Sequence, residues 1–287
     1  MQPALMMGIV KKVCGLWVRL FLFLFLFPAL FPAVVRADTL EIPGTGACEV
    51  LLRAVARAFT AKYPDHQVLL PPSVGTSGGI RAVRQDQAVL ARVAQSQQGD
   101  QTTQGLQYRV FAQDMTIFAV GGKVTVKDLT SAQIVDVYTG KITDWRELGG
   151  DPGPIRLLAR QPGDSNLKII QENLPSFRNI TYPPSAKVTH TDPKMLEMLQ
   201  KYKYAIGWLT FSALKGAQTP VYPLALDGIA PTPETARSGK YKFLGPYALV
   251  YKEERLNNLA RLFLDFIFSK ECQQLMEQYG VIPVDKE

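Results

Sequence analysis

Three times in this chain a glycine-rich turn stands between a strand-like run and a helix-like run, and that repeat restricts the fold more than any other feature of the sequence. TLEI (Thr39 to Ile42) leads through a GTG turn, Gly44 to Gly46, into ACEVLLRAVARAFTAKYP. There Val50, Leu51, Val55, Ala58 and Phe59 recur at helical spacing until Pro64 stops the helix. HQVLL (His66 to Leu70) leads through GTSGG (Gly75 to Gly79) into a helix expected to begin at Ile80, and IRLLAR (Ile155 to Arg160) leads through RQPGDSN into a helix from about Asn166. Strands and helices alternating in this order build layered α/β structure.

The rest of the chain keeps that rhythm. YRVFA (Tyr108 to Ala112) and MTIFAV (Met115 to Val120) read as β-rich, Leu129 and Thr130 as a helix entry, YAIGWL (Tyr204 to Leu209) and PYALVYK (Pro246 to Lys252) as strands. LNNLARLFLDFIFSKECQQLMEQYG reads as one long amphipathic helical region whose stripe of Leu259, Leu262, Phe263, Phe266 and Ile267 reports burial. QSQQGDQTTQG, from Gln95 to Gly105, is polar and reads as a loop.

The N-terminus bears on location. Lys11, Lys12 and Arg19 precede sixteen apolar residues, Leu20 to Val35, interrupted by Pro28 and Pro32 and followed by VRA. A membrane span needs roughly 20 such residues, so the segment reads as a secretory leader over residues 1–37, cut after Ala37. The formal net charge of +7 falls to +3 once Lys11, Lys12, Arg19 and Arg36 are set aside, and the remaining cations are dispersed among acids. Nothing in that pattern calls for a nucleic-acid partner. Cys14 lies in the leader, which leaves Cys48 and Cys272, able to pair in an oxidising compartment if their Cα atoms come close enough. His66 and His190 are isolated and no Cys/His spacing suits a metal, so neither metal nor cofactor is expected.

A helix that opens on glycine and hydroxyl residues offers unpaired amides to an anion. Thr76 and Ser77 with Gly78 fit that role, although plain capping of the helix would use the same residues. Arg160, at the end of a strand and before a turn, can make paired bonds to two anion oxygens, the alternative being a surface ion pair. Ser165 and Asn166 add an amide and side-chain donors, and Asp164 can cap the helix that follows. Gly46, Ala47 and Cys48 complete the candidate set from the first turn.

Together the GTG entry, SVGTSGGI (Ser73 to Ile80), LTSAQIVDVYTGKITDWRELGG (Leu129 to Gly150), Arg160 with GDSN, AIGW (Ala205 to Trp208), and FLDFIFS with YGVIPV resemble the PstS-like phosphate receptors of ABC importers. The resemblance runs from about Leu40 to Val284. It implies a two-lobed type II periplasmic-binding-protein fold, with mixed sheets flanked by helices and a two-strand hinge. One lobe would hold residues 38–114 and 246–287, the other 115–245, with crossings near Phe111 to Phe118 and Phe243 to Val250. It further implies that a monomeric, non-enzymatic periplasmic receptor closes on phosphate and delivers it to an inner-membrane ABC permease, with an arginine at Arg160 touching the anion.

Two departures qualify the ligand. The aspartate common in this group after the second helix is absent from AVLARVAQ (Ala88 to Gln95), where Arg92 stands instead, and the first loop's small hydroxyl residue is replaced by Cys48, next to Glu49. Arg92 is a candidate cleft contact that would favour a more highly charged anion, or else a helix-end or surface charge; Asp164 or Glu49 could replace the missing acceptor. Receptors for sulfate, molybdate or tungstate, and an anion sensor, remain alternatives. A phosphoester hydrolase using Cys48 or Ser165 would lack a base.

Overall fold

The computed structural model describes residues 38–94, 105–217 and 220–286. Residues 1–37, where a leader is expected, and nearly all of the polar run after Ala94 lie outside the described residues. Residues Ala37–Glu287 form one compact unit.

Its first strands and helices follow the glycine turns. β1 (Asp38–Glu41) pairs in parallel with β2 (His66–Leu69), and α1 (Glu49–Lys62) joins them, burying Leu51, Leu52, Val55, Ala56 and Phe59 on one face. Glu49 in the first turn of α1 and Lys62 in the last complement the helix dipole. α2 (Gly75–Arg84) begins five residues earlier than the sequence suggests. GTSGG is therefore the first turn of the helix itself, and its own amides form the helix N-terminus. Glycine is demanded there by crowding: a Cβ on Gly79 would lie 2.8 Å from the Gly44 Cα, so the first two glycine turns touch backbone to backbone.

β3 (Leu90–Val93) is a strand the sequence reading missed. It pairs antiparallel with β11 (Leu244–Tyr251), which pairs antiparallel with β4 (Gln107–Gly121). YRVFA and MTIFAV are thus one continuous strand of 15 residues. The first half of β4 pairs with β11, and its second half pairs with β8 (Ala205–Thr210). From β8 the sheet continues in parallel through β6 (Arg156–Arg160) to β7 (Lys187–Thr189). β8 is buried along its whole length, as expected of a strand covered on both faces. β9 (Val221–Pro223) and β12 (Ile282–Pro283) add to the two halves of β4, and β5 (Asp128–Leu129) pairs with β10 (Ala225–Leu226).

Helices cover these sheets. α3 (Ser131–Tyr138) opens on a Thr130–Gln133 capping box, and α4 (Ser165–Asn173), α5 (Asp192–Lys201), α6 (Phe211–Lys215) and α7 (Pro233–Arg237) each open on a capping Asp or Thr. The long C-terminal run divides into α8 (Asn258–Ile267) and α9 (Lys270–Gln278), because Ser269 caps a new helix through the Cys272 amide. The fold is α/β, with mixed sheets flanked by helices and two long strands, β4 and β11, running side by side through its middle.

Apolar side chains gather into two principal cores. One takes residues from Leu40 to Ala112 and from Tyr247 to Val281; the other is contiguous, from Met115 to Phe243. Cys48 and Cys272 belong to the first core and are both free thiols, so the disulfide left open by the sequence is not formed.

Candidate functional site

The N-termini of α2 and α4 meet at Thr76 and Ser165, whose hydroxyl oxygens lie 3.2 Å apart although α4 packs on the contiguous core and α2 on a small cluster of Ile80 with Val93, Ala248 and Val250. Both residues are buried, whereas Ser77 is exposed, so of the two hydroxyls in the turn the fold encloses Thr76. Thr76 Oγ1 also accepts from the Ala94 amide at 3.4 Å. Gly78 lies in the same first turn, where a Cβ would come 2.9 Å from the Val74 side chain.

Arg160 is carried to this junction by β6. Its guanidinium is 1% exposed and is held by two carboxylates. Asp164 Oδ2 accepts from Nε at 3.0 Å and from Nη2 at 2.7 Å, while Asp192 Oδ1 lies 3.3 Å from Nη2. The third nitrogen, Nη1, is buried and has no partner. A buried guanidinium nitrogen without an acceptor is costly, because its lost hydration is not replaced. An anion oxygen would complete it. The bland alternative for Arg160, a surface ion pair, is overturned by its burial.

Asp164 is a positioning residue in this arrangement. Its Oδ1 caps α4 through the Leu167 amide at 3.0 Å and its Oδ2 aligns Arg160, so both oxygens are already engaged. Asn166 is aligned as well: its Nδ2 donates to Asp192 Oδ1 at 3.1 Å and its Oδ1 accepts from Thr116 Oγ1 at 3.1 Å.

Asp192, the first residue of α5, was not singled out by the sequence. It is fully buried, and beyond Arg160 and Asn166 it accepts from the amide and hydroxyl of Thr210 at 2.9 and 2.7 Å. Burial pushes its carboxyl up to about 6, against the pull of the Arg160 charge. A THTDP segment holds no feature that separates a buried wiring aspartate from an ordinary helix-opening one, so only the fold reveals it.

Arg92 requires a correction. It is fully buried rather than at a helix end or on the surface, but its donors go to backbone: Nε to the Thr45 carbonyl at 2.8 Å, Nη2 to the Pro71 carbonyl at 2.8 Å, and Nη1 to the Ile42 carbonyl. The side chain bolts the first glycine turn to its neighbours, and the geometry assigns it no place at the Thr76–Ser165 junction. Glu49 likewise is engaged elsewhere, with Arg53 at 2.7 Å.

The first turn reaches the junction through its backbone. Gly46 abuts Thr191, where a Cβ would lie 3.1 Å from the Thr191 methyl. The Ala47 carbonyl accepts from Tyr247 Oη at 3.0 Å, and Thr210 Oγ1, whose proton goes to Asp192, lies 3.5 Å from it, so the turn touches both cores. Cys48 occupies the N-cap of α1 without making a side-chain cap bond, and burial pushes its thiol up to about 12, which keeps it protonated and unreactive.

Tyr247 Oη also lies 2.8 Å from Asp114 Oδ2, its single O–H being shared between that oxygen and the Ala47 carbonyl, and Asp114 Oδ1 accepts from the Met115 amide at 2.7 Å. The Ser212 amide approaches both Asp114 oxygens, at 3.4 and 3.3 Å. This fully buried carboxyl, pushed up by burial to about 7, thus links β4, β11 and α6 where β4 passes from one core to the other. Among the described residues, no group of three or more His, Cys, Asp or Glu could hold a metal ion. A cavity of about 610 Å³ between α1 and β2, lined by Glu41, Arg53, Arg57 and Gln67 among others, includes none of the residues at the junction.

Comparison with known proteins follows the same geometry. The phosphate-binding protein PstS of Bacillus subtilis (strain 168) is 26% identical over 256 residues, covering 86% of this chain and 81% of that protein. The crystal structure of a putative phosphate ABC transporter substrate-binding protein with bound phosphate from Clostridium perfringens is similar with a TM-score of 0.76 and 29% identity, covering 86% of this chain and all of that one. An ABC-type phosphate transport receptor from Vibrio cholerae, 19% identical over 85% of this chain and 99% of its own, shares the fold with a TM-score of 0.64. The family model of the PBP superfamily domain matches residues 35–271, a span that takes in β4, β11 and all three glycine turns, and the chain belongs to the PBP superfamily.

Proposed function

We propose that this protein is a solute-binding receptor that captures inorganic phosphate, or a related tetrahedral oxyanion, and hands it to an ABC permease. The observation that carries the reading is the buried, partnerless Nη1 of Arg160 beside the converging N-termini of α2 and α4. Helix N-termini and a fixed guanidinium supply short donors to a desolvated anion without the entropy of long side chains. Relatives named as phosphate-binding proteins narrow the ligand class.

The contact set comprises Thr76, Ser77 and Gly78 on α2, Arg160, Ser165 and Asn166 around α4, and Gly46, Ala47 and Cys48 on the first turn, with Asp164 and Asp192 aiming the guanidinium. Residues 38–114 with 246–287, and residues 115–245, act as two lobes that close on the anion through β4 and β11. The receptor works as a monomer in the periplasm after loss of residues 1–37, and it binds without catalysis. The protonated state of Cys48 and the engagement of both Asp164 oxygens support binding over a nucleophilic mechanism.

Calorimetric titration of ligand-stripped protein with phosphate tests the reading, and tight one-to-one binding is the expected result. Arg160→Ala should abolish that binding. It should also cost about 3–5 kcal/mol in a urea titration, since two buried carboxylates lose their cation. Retained affinity in the variant would remove Arg160 from the site, whereas saturation by sulfate or molybdate alone would redirect the ligand.

A further inference from the structure

β6, β7 and β8 carry Arg160, Thr189 and Thr210 at their carboxyl ends, on the anion side. Their amino ends are basic. Arg156 opens β6, Lys187 opens β7, and Lys201–Tyr202–Lys203–Tyr204 leads into β8. β4 runs antiparallel to β8 and so ends at the same rim, where the Lys123 amide donates to the Lys203 carbonyl at 3.0 Å.

Cations crowd the tyrosines of this rim. The Arg156 guanidinium lies 4.9 Å from the centroid of the Tyr202 ring, and the Lys187 and Lys201 ammonium groups lie 5.6 Å from it. Lys123 sits 5.9 Å from the Tyr204 ring, and Lys127 sits 4.8 Å from that of Tyr222. None of Lys123, Lys127, Arg156, Lys187, Lys201 or Lys203 forms an ion pair with a carboxylate among the described residues. β7 ends the strand order, and its Val188 is 52% exposed, with Tyr222 at 43%.

We propose that this rim is a docking surface for an anionic lipid bilayer. Five of its six cations are lysines, compact hydrated charges suited to diffuse attraction by headgroups; recognition of protein carboxylates favours the arginine fork, and lysine is depleted at protein interfaces. Lysine stems, tyrosines and an exposed valine also suit the headgroup boundary, where aliphatic and aromatic parts sink and charges stay wet. The surface stands at the opposite end of β6, β7 and β8 from Arg160, so lipid contact leaves the anion side open. The proposal does not depend on which anion the receptor takes.

The test uses the compact unit Ala37–Glu287, so that the apolar run before it cannot contribute, pelleted with phosphatidylcholine vesicles with or without phosphatidylglycerol. The protein should pellet only with phosphatidylglycerol present, and high salt should release it. At about 1 kcal/mol for each lysine, combined Lys187→Glu, Lys201→Glu and Lys203→Glu should lower vesicle partitioning at least ~100-fold. Thermal melting and phosphate titration should stay unchanged in that variant. Failure of the wild type to pellet, pelleting without regard to phosphatidylglycerol, or equal pelleting of the variant would each overturn the proposal. Retention on polyglutamate without vesicle binding would also overturn it, assigning the rim to an acidic protein partner.

Discussion

On the proposed reading, Arg160 is a single side chain prepared for a ligand. Two carboxylates, each on the first turn or cap of a helix, take up Nε and Nη2 and leave Nη1 for a guest. The guanidinium would thus lose little conformational freedom on receiving the proposed anion, which is the advantage of preorganisation. Arg92 is the counterexample: it is equally buried, but its three engaged nitrogens are spent on backbone carbonyls. Cys48 is a third case, a thiol at a helix cap that caps nothing. For Cys48→Ser we expect a stability change within about 1 kcal/mol, a gained cap bond offsetting the burial of a hydroxyl, as read from the urea midpoint. Because both thiols are free, adding reductant should leave the melting temperature of the wild type unchanged.

Between elements, the decisive joint is the one that Asp114 makes with Tyr247 and Ser212. Its carboxyl is pushed up to about 7, so its contribution to stability is complete below the usual carboxylate pKa of about 4 and is lost as pH rises through about 7. Asp114→Asn should flatten the fall in urea midpoint across that window, removing a total change on the order of 4 kcal/mol and leaving the smaller contribution of Asp192, which is lost as pH rises through about 6. An unchanged slope would place the pH dependence elsewhere. Strand, turn and helix order was legible in the sequence because glycine, capping residues and apolar periodicity act locally. The burial of Asp114 and Asp192 was not legible, because it depends on strands and helices distant in sequence. β3 escaped for a related reason: LARV carries an arginine that reads as polar until the carbonyls receiving it are known. The GTSGG turn was legible as a helix opening, and the structure moves the point at which that helix begins from Ile80 to Gly75.

At the scale of the whole molecule, the proposed ligand would add to a junction between two cores that already meet through β4, β11, polar contacts such as Thr76–Ser165 and apolar packing of Val50 and Ile282 against the second core. A ligand bound to the native state alone stabilises it by mass action, so phosphate at about 100 times its dissociation constant should add ~2.7 kcal/mol. Thermal unfolding should then shift upward as one transition rather than split. The connectivity of the cores also sets an order of assembly. Residues from Met115 to Phe243 form a contiguous core, whereas the other cannot close until the segment from Tyr247 to Val281 has joined residues 40–112. During synthesis or export, the first seventy or so residues of the compact unit therefore wait for the last forty. The carboxyl-terminal end acts as the latch on the amino-terminal half, and a chain broken off before Tyr247 keeps the materials of one core while stranding those of the other.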